Sequence, residues 1–223
     1  EAEVHQQIGA RLHTSYHPSR LRWLKDTAPD VFEKTAKFVS LGEYIYAKLA
    51  GVHGAATSTM SWAGILNRHT LALDEALLTA SGVTLDQFNP VVDPDHPFTD
   101  VSPRVAERWP ALQGAAWFPA IPDGYASNMG VGANNPLTAA MSAATSGAIR
   151  VIVPGTPKIL PSGLWAYRVS RDESIVGGAL NDVGRVMLWM EDTFAPVTPE
   201  EIHRTLLALP KKGTPLVLPF LTG

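Results

Sequence analysis

The spacing of apolar residues changes near residue 130, and this change most limits the folds open to the chain. Up to about residue 100 the apolar positions recur at helical intervals between Pro, Ser and Gly punctuation. "HPSRLRWLKDTAP" puts Leu21 and Leu24 on one face, with Pro18 suited to a first turn. "PDVFEKTA" opens with Pro29 and Asp30, an acid where the helix macrodipole favours one. "SLGEYIYAKLAG" runs from a Ser40 cap to Gly51, and "LDEALLTASG" stops at Gly82. "FNPVVDPDHPFTDVSPR" is rich in Pro and Asp and reads as loop. Beyond it the β-branched runs begin. "GAAWFPAI" reads as a strand, and so do "AIRVIV" and "GLWAYRV". Helices first and a mixture afterwards make an α/β protein with a boundary near residue 130.

One stretch sets propensity against pattern. "PLTAAMSAATSGAIRVIV" is alanine-rich, and propensity alone makes its first half a helix. Thr145-Ser146-Gly147 interrupts it and a β-branched run follows, so a hairpin over residues 137 to 153 is expected instead. A turn this free of bulky side chains lets backbone N–H groups approach an anion. Further on, "GGALNDVG" reads as a Gly-rich entry to the helix "RVMLWMED", a place for phosphate. "TPEEIHRTLLALP" carries a capping box of Thr198 and Glu201.

Composition excludes several function classes. The 223 residues carry no cysteine, so disulfides, zinc–thiolate sites and thiol catalysis are absent together. A formal charge of −3 and no run of five basic residues argue against nucleic acid as a partner. No apolar stretch approaches the ~18 residues of a membrane span, so no membrane partner is expected either. A cytoplasmic protein fits these facts. Both ends look cut: the first residues already read as helix, and "PLVLPFLTG" reads as a buried strand reaching the last residue.

The candidate chemistry centres on "IPDGYASNMG". Pro122-Asp123-Gly124 is a common turn sequence, but it also puts a lone carboxylate at a strand-to-helix junction, as a general base needs. His13 and His17 have an i, i+4 spacing that can hold zinc on a helix. Pro18 disfavours a helical His17, however, and no metal site is assigned. There is no Walker loop and no GxSxG elbow. A carboxylate on a strand-end turn, a Thr-Ser-Gly turn some twenty residues on, and then a Gly-rich helix entry make the parts list of phosphoryl transfer.

Seven short motifs occur in an order that resembles the FGGY family of carbohydrate kinases, and its gluconokinase-like members most. They are "LHTSYHPSRLRWL", "FVSLGEYIYAKLAG", "ATSTMSWAGILN", "IPDGYASNMG", "AATSGAIRV", "GGALNDVGRVMLW" and "LVLPFLTG". The resemblance implies an actin-like ATPase fold with RNase H-like cores. Parts of two domains are present: 1–131 from the end of the sugar-binding domain and 132–223 from the start of the nucleotide-binding domain. It implies ATP-dependent phosphorylation of a sugar or sugar acid, gluconate favoured, with Mg²⁺ arriving with ATP. Asp123 matches the family's catalytic base, its carboxylate facing the cleft between the domains. Tyr16, Gly124 and Tyr125 match sugar-side positions, and Thr145, Ser146 and Gly184 match nucleotide-side positions. Ala144 stands where the family usually has glycine.

The family's N-terminal phosphate loop and C-terminal adenosine loop have no counterpart in the chain. The fragment alone is therefore expected to bind ATP poorly and to be inactive. Xylulose, ribulose and glycerol stay open as substrates, as does a homodimer. A non-catalytic sugar- or nucleotide-binding fragment is one rival reading. A non-kinase actin-like ATPase is another, and the sugar-side motif around Tyr16 argues against it.

Overall fold

The structure is a computed structural model that describes residues 1–194, 197–209 and 213. The strand expected in "PLVLPFLTG" lies outside the described residues. Two compact units account for the rest. One comprises Glu1–Ala140 with Arg150–Gly177, and the other comprises Met141–Ile149 with the described residues from Gly178 on.

The first unit opens with helices α1 (Ala2–Ile8), α2 (His17–Thr27), α3 (Pro29–Glu33) and α4 (Leu41–Ala50). Each helix boundary has a chemical cause. Pro18 lies in the first turn of α2, where its missing N–H costs nothing. Ser40 and Glu43 close a reciprocal capping box on α4, and Gly51 ends it at φ 69°. The buried Glu43 carboxylate also accepts a bond from Asn89 Nδ2 at 3.0 Å. A two-residue strand β1 (Ala55–Ala56) leads into α5 (Thr57–Trp62), and α6 (Glu75–Ser81) follows. Asp74 caps α6 through the Leu77 N–H, while its other oxygen accepts from Gln7 of α1 at 2.6 Å. Leu21, Phe32, Met60, Ile65, Leu66, Leu78 and Phe88 form the core between these helices, with Leu24 packed against it. The single face read from Leu21 and Leu24 is the face that is buried.

One loop reading and one strand reading need correction. The Pro- and Asp-rich segment contains strand β2 (Val91–Val92), which pairs in parallel with β1 at Ala55–Val91 and Ala56–Val92. Two β-branched residues there find backbone partners that no local pattern announces. "GAAWFPAI", after helix α7 (Arg104–Arg108), is not a strand. Only Trp117 forms an isolated bridge, to Phe98, with the Phe98 N–H donating to the Trp117 carbonyl at 2.8 Å. Pro119 has no N–H to extend a ladder, and the segment is held by its side chain instead. The Trp117 ring stands edge-on to Tyr46 at 5.4 Å.

After α8 (Asp123–Gly130) come strands β3 (Ala139–Ala143), β4 (Gly147–Pro154), β5 (Trp165–Arg168) and β6 (Glu173–Leu180). They join in the order β3-β4-β6-β5. The alanine-rich stretch is thus a hairpin that turns at residues 144–146, as the Thr-Ser-Gly interruption predicts. β5 and β6 run antiparallel, with Trp165 opposite Gly177 and Tyr167 opposite Ile175. This register corrects the Gly-rich helix entry. Gly177 and Gly178 belong to β6, and helix α9 (Gly184–Thr193) opens on Gly184 alone. Helix α10 (Pro199–Ala208) carries the expected capping box, in which bonds from Thr198 hold the Glu201 carboxyl below its usual range.

Candidate active site

Asp123 is the first residue of α8, preceded by Pro122 in extended conformation as its cap. An acid in this first turn is favoured by the positive end of the helix dipole. Its carboxylate is exposed, and Oδ1 accepts from the Gly124 N–H at 2.6 Å. Gly124 is buried for a steric reason. A Cβ there lies 2.9 Å from Trp62 Cζ2 and 3.4 and 3.5 Å from Arg150 Nε and Nη2. The missing side chain lets an indole and a guanidinium close over the residue next to Asp123.

Tyr16 stands just before α2, with its hydroxyl 2.5 Å from the hydroxyl of Tyr167 on β5. Its side chain lies over Gly64, where φ is 74° and a Cβ meets Tyr16 Cδ1, Cβ and Cγ at 3.0–3.1 Å. Tyr167 in turn packs on Trp62 at 4.4 Å and stacks on Trp165 at 4.8 Å. Burial pushes the Tyr167 hydroxyl far above the usual phenol range. The nearby Tyr16 adds to this shift, and Arg150 opposes it. Tyr167 therefore stays protonated and remains a neutral hydrogen-bonding group.

Tyr125 packs in the same core as Ile8, Ile152, Tyr167 and Val169, with Tyr16 and Trp62 against it. Burial first, then Glu173, Asp93 and Asp95, push its hydroxyl above the usual phenol range. It also borders a cavity of about 820 Å³ whose wall includes Asp95, Asp172 and Glu173. A second cavity, of about 490 Å³, is lined by Ser15, His17, Ser40, Thr59, Trp62 and Pro122. Both cavities reach the neighbourhood of Asp123, the larger through Ile121 and Tyr125 and the smaller through Ile121 and Pro122. His13 and His17 share no helix: α2 begins at His17, and His13 Nδ1 pairs with Ser15 Oγ at 2.8 Å.

The other unit gathers the remaining candidates. Thr145 and Ser146 are exposed on the hairpin turn. The turn is held from behind by the start of α9. The Gly184 N–H donates to the Ala144 carbonyl at 2.7 Å, and the Val183 N–H donates to the Thr145 carbonyl at 3.2 Å. A Cβ on Gly184 lies 2.6 Å from that Ala144 oxygen. Among the described residues the only positive φ outside glycine is at Leu71, so Ala144 makes its turn without strain.

Tyr16, Gly124 and Tyr125 thus converge on one aromatic cluster, and Thr145, Ser146 and Gly184 on one turn. Sequence reasoning missed Trp62, Tyr167 and Arg150. Trp62 sits inside a quoted motif without being singled out. Arg150 left a signal, being the one charge in the apolar run "AIRVIV".

Residues 1–130 match the N-terminal domain of the FGGY family of carbohydrate kinases. The chain belongs to that family. It is 29% identical over 192 residues to the gluconokinase of Bacillus licheniformis, covering 86% of this chain and 37% of that protein. The ligand-bound xylulose kinase from Lactobacillus acidophilus superposes with a TM-score of 0.81 at 28% identity, and the gluconate kinase from the same organism with 0.81 at 27%. Each superposition covers 93% of this chain and 43% of the other. The FGGY chain therefore spans less than half the length of the relatives it matches. Its α/β architecture is that of the actin-like sugar kinases. Among the described residues no helix is long and apolar enough to cross a membrane.

Proposed function

We propose that this FGGY chain carries the catalytic base and part of the ATP site of a kinase that phosphorylates a sugar or sugar acid, gluconate favoured. The observation that carries the reading is Asp123: an exposed carboxylate opening α8, beside a glycine closed over by Trp62 and Arg150. In this role Asp123 accepts the proton of the attacking hydroxyl. Tyr16 presents a hydroxyl held by Tyr167, and the sugar side also includes Gly124 and Tyr125. Thr145 and Ser146 offer exposed hydroxyls to the phosphates of ATP on a turn kept close to α9 by Gly184. Those hydroxyls and the small side chains beside them fit an anionic phosphate group. Mg²⁺ accompanies ATP and neutralises its charge. Residues 1–131 and 132–223 are assigned to the sugar-binding and nucleotide-binding domains, in a cytoplasmic protein.

Gluconate leads because the motifs around Tyr16 and Asp123 resemble gluconokinase-like members, and because the gluconokinase of Bacillus licheniformis is among the relatives. Xylulose, ribulose and glycerol are the competing substrates. The test is ADP release by the full-length protein carrying this sequence, measured with gluconate, with each competitor, and with no acceptor. Turnover that depends on an acceptor is expected, fastest with gluconate. ATP hydrolysis indifferent to every acceptor would overturn the reading.

A further inference from the structure

We infer that the smaller cavity seats the hydroxyl chain of gluconate and that the His17 imidazole reads one of its hydroxyls. The inference rests on the reading of Asp123 as the base acting on a sugar hydroxyl. It gives that reading a place for the acceptor and a specificity residue.

Charge decides between the two cavities near Asp123. The larger has Asp95, Asp172 and Glu173 in its wall, and those carboxylates repel a sugar acid. Among the described residues no carboxylate lines the smaller. Its wall is mostly apolar, includes Phe38, Met60 and Trp62, and reaches Pro122, the residue bonded to Asp123. Trp62 also covers Gly124, on the other side of Asp123. Apolar walls suit the C–H faces of a carbon chain, and a few placed polar groups then read its hydroxyls.

Most polar side chains in this wall are already committed. Ser15 Oγ pairs with His13 Nδ1 at 2.8 Å. The Ser40 hydroxyl accepts from the Glu43 N–H at 3.3 Å, and the Thr59 hydroxyl donates to the Ala120 carbonyl at 2.8 Å. The His17 ring is different. It is exposed and has no hydrogen-bond partner among the described residues. Its backbone is fixed, because His17 opens α2 and its N–H donates to the Ala63 carbonyl at 2.9 Å, one residue after Trp62. Tyr16 turns instead toward Tyr167.

The protonation state then selects the group that is read. Desolvation by the surrounding protein, followed by repulsion from Arg20, holds the His17 ring below the usual histidine range. Glu43 opposes them, but its carboxylate oxygens are taken by the Ser40 N–H at 2.7 Å and by Asn89 at 3.0 Å. A neutral imidazole offers one donor and one acceptor, as a hydroxyl does, so the two match in either direction. A carboxylate only accepts, and the acid end of the substrate is not the group His17 reads.

The experiment measures kcat and KM of the full-length protein carrying this sequence. The acceptors are gluconate, gluconamide and a series of monodeoxy gluconates, each lacking a single hydroxyl that is not phosphorylated. His17→Phe keeps a flat ring and removes both nitrogens, while His17→Gln keeps a neutral donor and acceptor. Melting curves check that each variant folds, and His17→Ala repeats the comparison should His17→Phe not fold. In His17→Phe the KM for gluconate should rise about 2- to 10-fold, the range of one neutral hydrogen bond, with kcat little changed. His17→Gln should recover part of that loss. In wild type one member of the deoxy series should lose about the same factor, and for that member alone His17→Phe should cost nothing further. Gluconamide should suffer from His17→Phe as much as gluconate does.

Equal losses across the whole deoxy series in His17→Phe overturn the inference, because they mark a histidine that only shapes the wall. A loss with gluconate that vanishes with gluconamide also overturns it, because the carboxylate is then the group being read. Gluconate kinetics unchanged in both variants remove the role of His17 and leave the kinase reading standing. A wild type that phosphorylates neutral sugars and not gluconate overturns the inference, while Asp123 keeps its own test. Turnover with no acceptor at all removes the kinase reading and this inference with it.

Discussion

The amide of Gly184 donates to the carbonyl of Ala144 at 2.7 Å, and a Cβ on Gly184 lies only 2.6 Å from that same oxygen. The start of α9 and the Thr145–Ser146 turn are therefore fitted to each other with no room for a methyl group. Gly184→Ala has to push the turn away. We expect a loss of about 1–3 kcal/mol, the usual cost of overpacking, read as a lower melting midpoint. If the turn holds ATP, the KM for ATP should rise while that for the sugar stays near wild type. Unchanged stability would show that the contact relaxes freely.

Asp123→Asn keeps the shape of the side chain and can still accept a hydrogen bond, but it cannot take up a proton. Loss of a general base lowers rate by about 10²–10⁴-fold. The expected signature in steady-state assays of the full-length protein is a collapsed kcat with KM little changed. A variant that melts normally and keeps more than about a tenth of wild-type kcat, well above what loss of a base leaves, would make Asp123 a turn residue only.

Gly64 and Gly132 provide a matched pair. Both have positive φ, 74° and 76°, but only Gly64 has neighbours: the Tyr16 side chain at 3.0–3.1 Å, against nothing within 4 Å at Gly132. Alanine at either site pays a backbone penalty of about 1–2 kcal/mol. Gly64→Ala should cost more than Gly132→Ala in denaturant melts, and it alone should raise the KM for the sugar by displacing Tyr16. Equal effects of the two substitutions would remove the link between Gly64 and the site.

Tyr167 gives a pH prediction. Burial holds its hydroxyl protonated far above the usual phenol range, and the bond to Tyr16 adds to the effect. In the unfolded chain the same group ionises near pH 10. The folded state therefore keeps a proton that the unfolded state releases, and stability falls as pH rises past about 10. Below that pH the contribution is fully present. Tyr167→Phe has no such proton. Its melting temperature should be lower than wild type at neutral pH, where it lacks the Tyr16 bond, and the gap should narrow steadily in alkali. A gap that stays constant with pH would show that Tyr167 does not ionise on unfolding.

The helices of the first unit were legible because their signals are local. A proline in a first turn, a Ser40–Glu43 box and a glycine at φ 69° each act within a few residues of the helix end they define. The hairpin around Thr145 was legible for a similar reason, once the β-branched return strand was weighed against alanine propensity. The false strand at "GAAWFPAI" and the overlooked β2 have the opposite cause. Whether a short apolar run becomes a strand depends on a partner elsewhere. Val91–Val92 has one in Ala55–Ala56, while the segment around Trp117 has a single bridge and a proline.

By itself the sequence determined the local setting of Asp123. Proline before it and glycine after it leave a carboxylate at the start of a helix, and the order of short motifs marks an FGGY kinase. It could not show what stands over Gly124. Trp62 and Arg150 come from 62 and 26 residues away in the chain, on α5 and β4, and they meet there because Gly124 has no Cβ to exclude them. Nor could it show that Tyr16 and Tyr167, 151 positions apart, share a hydrogen bond. Local backbone preferences fix helix ends and turns. Contacts between distant side chains are decided only when burial of the core brings their elements together.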